Sequence, residues 1–280
     1  MRAKNRKLMN RFCKRESQPL TLPLWSPLTL LVLGLLIQGL AHATLSSPNI
    51  IGKNANRVKE KDYPAFCSIE IQSRGSDESN SCSGTLVAAH EIATGAHCFK
   101  KYFNLNQADV RVYCGGRSVQ VTSVALPSAN MWIDEDHPIA PYDYARLTLK
   151  KDQEGALPKA KDSSLYFTDE GKIQPNVHCW LAGFGNSKST SFGALYIADV
   201  TAKALTYESG VIMMREPQGA VLDISADHGD SGGAFYCQAP QHSTELVGVI
   251  VGYRSQENRD YNRMENYFAP IWSQLAPELQ

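Results

Sequence analysis

Short runs rich in apolar and β-branched residues, set apart by turn-forming residues, recur along this chain and restrict its fold more than any other feature. "AFCSIEIQS" (65–73), "GTLVAAHEIATGA" (84–96), "DVRVYCGG" (109–116), "SVQVTSVAL" (118–126) and "YARLTLK" (144–150) form a first set. After a polar stretch at 151–164 come "VHCWLAGFG" (177–185), "ALYIADVTAKAL" (194–205), "AVLDIS" (220–225), "GAFYC" (233–237) and "ELVGVIVGYRS" (245–255). Many short strands at regular spacing belong to sandwiches or barrels. The expected architecture is therefore all-β, with two lobes at about 50–150 and 176–270 joined near 151–175. Pro270 suits the first turn of a helix over "IWSQLA", which Pro277 would end, so one short C-terminal helix is expected. With 43% of its 280 residues hydrophobic, the chain has enough apolar surface for a real core.

Charge narrows the partners. Lys plus Arg equals Asp plus Glu at 28 each, so no basic field exists to gather phosphates, and no nucleic-acid partner is expected. The exception is local. Arg2, Lys4, Arg6, Lys7, Arg11, Lys14 and Arg15 precede "LTLLVLGLLIQGL" (28–40) and then "AHA" (41–43). A positive start, an apolar middle and a small-x-small end read as a secretory signal peptide, residues 1–43, cut after Ala43. The alternative is a retained membrane anchor, although the apolar run is shorter than the roughly 20 residues that a spanning helix needs. Export would place the protein in an extracellular or periplasmic compartment.

Export also changes how cysteines read. Cys13 leaves with the signal, while Cys67, Cys82, Cys98, Cys114, Cys179 and Cys237 remain. An even number in an oxidising compartment points to three disulfides. No Cys-x-x-Cys spacing is present, "CGGRSVQV" (114–121) lacks the acidic residues of a calcium loop, and "WIDEDH" (132–137) reads as a solvated surface loop. Neither metal nor cofactor is expected.

Two segments carry chemistry. In "DHGDSGGAFYC" (227–237), Ser231 stands in a glycine-rich turn of the kind that exposes a hydroxyl and turns neighbouring amides toward one point. By itself this could be an ordinary β-turn. In "TGAHC" (94–98), His97 closes an apolar run, where a lone histidine is more often a packed core residue than a working one. Together, and with "DYARLTL" (143–149), they resemble the His, Asp and Ser boxes of the trypsin/chymotrypsin family of serine peptidases, in the family's order. The likeness extends from about Ile50 to about Leu275.

That resemblance implies two six-stranded antiparallel β-barrels with the active site between them. It implies a serine endopeptidase in which Ser231 is the nucleophile, His97 the general base and Asp143 the residue orienting it. The amides of Gly229 and Ser231 would form the oxyanion hole. It also implies disulfides Cys82–Cys98 and Cys179–Cys237, which leaves Cys67 and Cys114 as a third pair that the family does not usually have. In the family, cutting before a hydrophobic dipeptide frees an ammonium group that pairs with the Asp beside the Ser. "NIIGKN" (49–54) resembles that junction, making 44–49 a short pro-segment, 50–280 the peptidase domain, Ile50 the new N-terminus and Asp230 its partner. Asn49 is a poor site for a trypsin-like activator, so a different activating protease or trimming is implied. The expected partners are protein or peptide substrates, with a monomeric enzyme.

The sequence departs from the family around the specificity pocket. Asp227 stands where a pocket disulfide often begins, and Val251, Gly252 and Tyr253 replace the usual Ser-Trp-Gly. Ser225, six residues before Ser231, would form a neutral pocket floor favouring apolar or aromatic side chains. Glu265, where the family commonly has Gly, would narrow the pocket and could instead admit a basic side chain. His228 is either pocket wall or exposed loop. Against the peptidase reading stand a non-catalytic peptidase-like binding module and a zymogen that stays latent until cut.

Overall fold

A computed structural model describes residues 50–52, 55–75, 77–99, 108–126, 142–185, 193–200, 205–208, 210–214, 224–226, 229–255 and 264–271. The expected signal and pro-segments, His228 and the expected helix after Pro270 lie outside these residues. Among the described residues, no helix is long and apolar enough to cross a membrane.

The early strands are β1 (Ile51–Gly52), β2 (Ala55–Arg57), β3 (Phe66–Ser73), β4 (Ser79–Ala88), β5 (Glu91–Thr94), β6 (Ala108–Cys114), β7 (Arg117–Val119), β8 (Val121–Ala125) and β9 (Ala145–Leu149). Then follow β10 (His178–Gly183), β11 (Tyr196–Val200), β12 (Leu205–Glu208) and β13 (Val211–Met214). The last are β14 (Ile224–Ser225), β15 (Ala234–Gln238), β16 (Thr244–Ser255) and β17 (Met264–Pro270). The first lobe has the order β7-β6-β3-β4-β5-β9-β8. Its two edges, β7 and β8, are one run of chain interrupted only at Gln120. That run pairs with β6 at its start and β9 at its end, so six strands close on themselves as a barrel. The second lobe has the order β12-β13-β17-β16-β15-β10-β11-β2. There β11 and β12 are likewise successive in the chain and stand at opposite reaches of the sheet, while β2 adds to β11 from the start of the domain. All named ladders are antiparallel, as the two-barrel expectation requires.

Alternation explains why these segments are strands. In β9, Ala145, Leu147 and Leu149 are buried while Arg146 and Thr148 are partly exposed, the period-two pattern of a sheet with one face inward. Ile69, Leu86, Ile92, Val112 and Leu147 fill the first barrel. Leu181, Ile212, Phe235, Ile250 and Phe268 fill the second, together with fully buried Ile50. Each such side chain contributes about 1.5–3 kcal/mol by leaving water. A third cluster joins the lobes: Phe66, Val87 and Ala93 from the first pack with Phe184, Tyr236, Val249 and Tyr267 from the second.

The connecting stretch is fastened to both lobes. Leu157 N–H donates to Leu86 O at 2.8 Å, and Ala160 N–H donates to Leu246 O at 2.8 Å. The disulfides are Cys67–Cys114, Cys82–Cys98 and Cys179–Cys237, the three expected pairs. Cys67 and Cys114 are direct cross-strand partners on β3 and β6, which places their sulfurs within bonding reach.

One local reading is corrected. The run 84–96 is not one strand but a hairpin, β4 and β5, turning at Ala89–His90 with Ala88 opposite Glu91. Pro270 itself closes β17 opposite Gly248, while the segment expected to be helical beyond it lies outside the described residues. A proline lacks an N–H, which a strand end tolerates as readily as a first helical turn does.

Candidate active site

Strands β5 and β9 are antiparallel, with Thr94 opposite Ala145. The chain leaving β5 and the chain entering β9 therefore lie at the same end of the first barrel. Just beyond Thr94, the 3-10 turn Ala96–Phe99 carries His97, and Cys98 in that turn is bonded to Cys82 on β4. Just before Ala145, Asp143 sits at the centre of a tight turn in which Tyr144 N–H donates to Tyr142 O at 2.7 Å. Register alone thus brings a histidine and a carboxylate together.

Their contact has two points. His97 Nδ1 lies 2.7 Å from Asp143 Oδ2, and the His97 backbone N–H donates to Asp143 Oδ1 at 2.8 Å. A carboxylate only accepts, so Nδ1 carries the proton and Nε2 of the neutral ring is left as the basic nitrogen. Asp143 is buried, whereas the His97 ring is partly open to solvent. Burial opposes charging of the imidazole. The Asp143 charge and hydrogen bond outweigh it, and the His97 pKa stands above the ordinary histidine value.

Ser231 lies between β14 and β15, in a turn closed by Gly233 N–H donating to Asp230 O at 2.8 Å. Gly232 N–H donates to Ile250 O at 2.6 Å, holding the turn to β16. Gly229 and Gly232 have φ of +89° and +77°, the left-handed region that glycine enters without strain. Gly232 is also pressed against the histidine segment. A Cβ there would stand 2.1 Å from Thr94 Oγ1, 2.4 Å from Ser83 O and 2.7 Å from Gly95 N. A Cβ on Gly95 would stand 2.9 Å from His97 Cε1 and 3.5 Å from Gly232 N, so the serine turn and the imidazole flank the same glycine.

One residue absent from the sequence reading ties this site together. Ser83, buried on β4, donates its N–H to Ser231 O at 2.7 Å and its hydroxyl to Gly229 O at 2.9 Å. Its Oγ accepts from Phe184 N–H at 2.9 Å, and its carbonyl accepts from Thr94 Oγ1 at 2.7 Å. A serine inside an apolar strand offers no signal of such a role. Among the described residues, the amides of Gly229 and Ser231 themselves meet no acceptor.

The other expected residues fall as follows. Asp230 is fully buried; its Oδ1 accepts from Gly185 N–H at 2.9 Å, and Gly183 leaves it room. Ile50 is fully buried too, and the next two residues pair with Ile224–Ser225. Val251 is buried in the cluster between the lobes, where it adds no polar group. Tyr253 and Glu265 lie on adjacent strands but not opposite each other: Tyr253 faces Asn266 and Arg254 faces Glu265 in register. Among the described residues, Cys82, His97 and Cys98 form the only cluster with metal-ligand chemistry. Its two sulfurs are bonded to each other, so no thiolate is left to coordinate.

Two curled antiparallel β-sheets with a carboxylate-bound histidine and a glycine-bounded serine turn at their junction make up the chymotrypsin-like fold. The sequence model of the Trypsin family matches residues 51–272. A human protein, chymotrypsin-like elastase family member 1, is 23% identical over 256 residues, covering 84% of this chain and 94% of that protein. A trypsin from Saccharopolyspora erythraea is 26% identical over 183 residues, covering 60% of this chain and 73% of its own. Among solved structures, HL collagenase superposes with a TM-score of 0.53 at 18% identity, over 78% of this chain and 93% of that one. The chain belongs to the trypsin/chymotrypsin family of serine peptidases.

Proposed function

We propose that the chain is an exported serine endopeptidase that hydrolyses peptide bonds through an acyl-enzyme on Ser231. The observation that carries this reading is the two-point hydrogen bond from His97 to Asp143 beside the Ser231 turn. His97 Nε2 takes the hydroxyl proton as Ser231 Oγ bonds to the scissile carbonyl carbon. Charge gathers on the carbonyl oxygen, where the Gly229 and Ser231 amides receive it, each worth roughly 3–4 kcal/mol in comparable sites. The intermediate collapses, the C–N bond breaks, and His97 returns the proton to the departing amine. Water then repeats the cycle on the ester and frees the acid. Asp143 holds the ring in its tautomer and stabilises the imidazolium while it exists.

Removal of residues 1–43 as a signal and trimming of 44–49 would leave Ile50 with a free ammonium group and Asp230 as its counter-charge. The buried positions of both residues support this, because a nearby opposite charge offsets what burying a carboxylate costs. Three disulfides suit an oxidising compartment. A neutral pocket floor at Ser225 favours apolar or aromatic side chains before the scissile bond.

Labelling with a tagged fluorophosphonate, before and after trimming to Ile50, tests the function. Attachment at Ser231 that is lost in Ser231→Ala, together with peptide hydrolysis, is the expected outcome. Reaction only after trimming identifies a latent zymogen. Silence in both forms refutes the peptidase reading in favour of a binding module. A peptide library giving a dominant Arg or Lys signal, abolished by Glu265→Gln, would overturn the neutral pocket.

A further inference from the structure

We infer that Ser83 is a positioning residue that sets the oxyanion-binding turn, a role resting on the peptidase reading above. Each of the two residues whose amides are assigned to the oxyanion has its carbonyl taken by Ser83. Ser83 Oγ–H donates to Gly229 O at 2.9 Å, and Ser83 N–H donates to Ser231 O at 2.7 Å. Gly229 has φ of +89° and no side chain to fix it, so its peptide planes rotate freely unless something holds them. A hydrogen bond to the carbonyl of one peptide, combined with another two residues later, leaves the intervening Asp230–Ser231 segment a single orientation. The Ser231 amide lies within that segment, and the Gly229 amide is one rotation of Gly229 away from it.

The hydroxyl cannot turn away. Its lone pair receives Phe184 N–H at 2.9 Å, so its own hydrogen is directed to Gly229 O, and both neighbours belong to the second lobe. The Ser83 carbonyl in turn anchors Thr94 Oγ1, on the strand that leads to His97. The same residue therefore references the serine turn to the second barrel and to the histidine segment at once. It lies beside Cys82, whose disulfide fixes the 3-10 turn of His97 from the other side. Ser83 contacts no reacting atom; it acts through Gly229 and Ser231.

The test compares wild type, Ser83→Ala, Ser83→Gly and Ser83→Thr. Turnover of a peptide substrate is measured alongside affinity for a peptide aldehyde, whose adduct places an oxyanion in the site. Loss of the hydroxyl is expected to lower kcat about 10- to 100-fold, with KM held within about twofold. Aldehyde affinity should fall in parallel, and Thr should restore most of both. A folded Ser83→Ala or Ser83→Gly with kcat and aldehyde affinity within twofold of wild type overturns the inference. So does an equal fall in kcat and rise in KM, which would mark a general loosening. Amide hydrogen exchange at Gly232 and Gly233 provides a readout that needs neither activity nor a foldable variant. At Gly232 and Gly233, whose N–H groups donate to Ile250 O and Asp230 O, protection in wild type comparable to the β15 and β16 strands, and lower in any hydroxyl-less variant that folds, supports the clamp. Exchange in wild type as fast as in an exposed loop refutes it. If trimmed wild type hydrolyses nothing, the peptidase reading fails, and exchange alone decides the role of Ser83.

Discussion

Replacing Gly232 by alanine probes how tightly the serine turn is pressed against the histidine segment. Two separable costs arise. An L-residue at φ of +77° loses about 1–2 kcal/mol to backbone strain. The new Cβ would also overlap Thr94 Oγ1 at 2.1 Å, Ser83 O at 2.4 Å and Gly95 N at 2.7 Å. Two of these atoms are backbone, so the turn must retreat by about 1 Å, with an overpacking cost of about 1–3 kcal/mol. The retreat also strains the 2.6 Å bond from Gly232 N–H to Ile250 O, worth about 1 kcal/mol. The total is about 3–6 kcal/mol, or a fall in Tm of roughly 6–24 °C for a domain of this size. Gly75→Ala supplies the control, because Gly75 has φ of +84° and nothing within 4 Å of its Cβ position. It should lose only the strain. Thermal and guanidinium unfolding followed by circular dichroism gives both values, and turnover should drop about 100-fold in Gly232→Ala from a shift of this size. If Gly232→Ala is no less stable than Gly75→Ala, the serine turn is not packed as described.

Activity should depend on pH through His97. In the proposed mechanism its neutral form is the base, and its pKa stands above the ordinary value, so the acid limb of kcat/KM should have its midpoint above about 6.5. In Asp143→Asn, burial acts unopposed; the limb should shift to lower pH, with turnover down by about four orders of magnitude. Stability carries the same signature with a defined sign: the raised folded pKa gives a contribution complete below about 6.5 and lost as pH rises through it, visible as the difference between wild type and Asp143→Asn in denaturant titrations across pH. Removing the Cys82–Cys98 bridge, which spans 16 residues, by double substitution to Ala should cost about 3 kcal/mol in those titrations and lower kcat, because the His97 turn loses its anchor. Gly183→Ala would place a Cβ 2.2 Å from Asp230 Oδ1, so it should depress turnover while leaving the Trp180 neighbourhood and overall circular dichroism unchanged.

Period-two alternation and turn residues made most strands legible, and three boxes in order pointed to His97, Asp143 and Ser231. What the sequence hid follows from local weakness of signal. The hairpin at Ala89–His90 carries no Gly, Pro, Asn or Asp, so β4 and β5 read as one run. β13 is four apolar residues buried throughout, with no alternation to separate strand from buried helix. β1 and β2 are too short to announce themselves, and their pairing with second-lobe strands is a long-range fact. Pro270 was ambiguous because strand ends and helix starts both tolerate a missing N–H. Ser83 escaped for a deeper reason. Its importance lies wholly in partners about 100 residues or more away, Phe184, Gly229 and Ser231, which no local pattern encodes.

The covalent bridges have a consequence for the order of events in unfolding. Cys67–Cys114 and Cys82–Cys98 stay within the first barrel, and Cys179–Cys237 stays within the second. Among the described residues no disulfide spans the seam. There the barrels adhere through Phe66, Val87 and Ala93 against their apolar partners, through the hydrogen bonds of Ser83, and through the connecting stretch fastened to each lobe. Denaturant therefore meets two stapled bodies held by an unstapled joint. The proposed catalysis needs both bodies in register, whereas secondary structure does not, so turnover should vanish at a lower denaturant concentration than the β-sheet signal. On dilution, intact barrels would need only to find each other again, and activity would return faster than a chain refolding from the start could restore it.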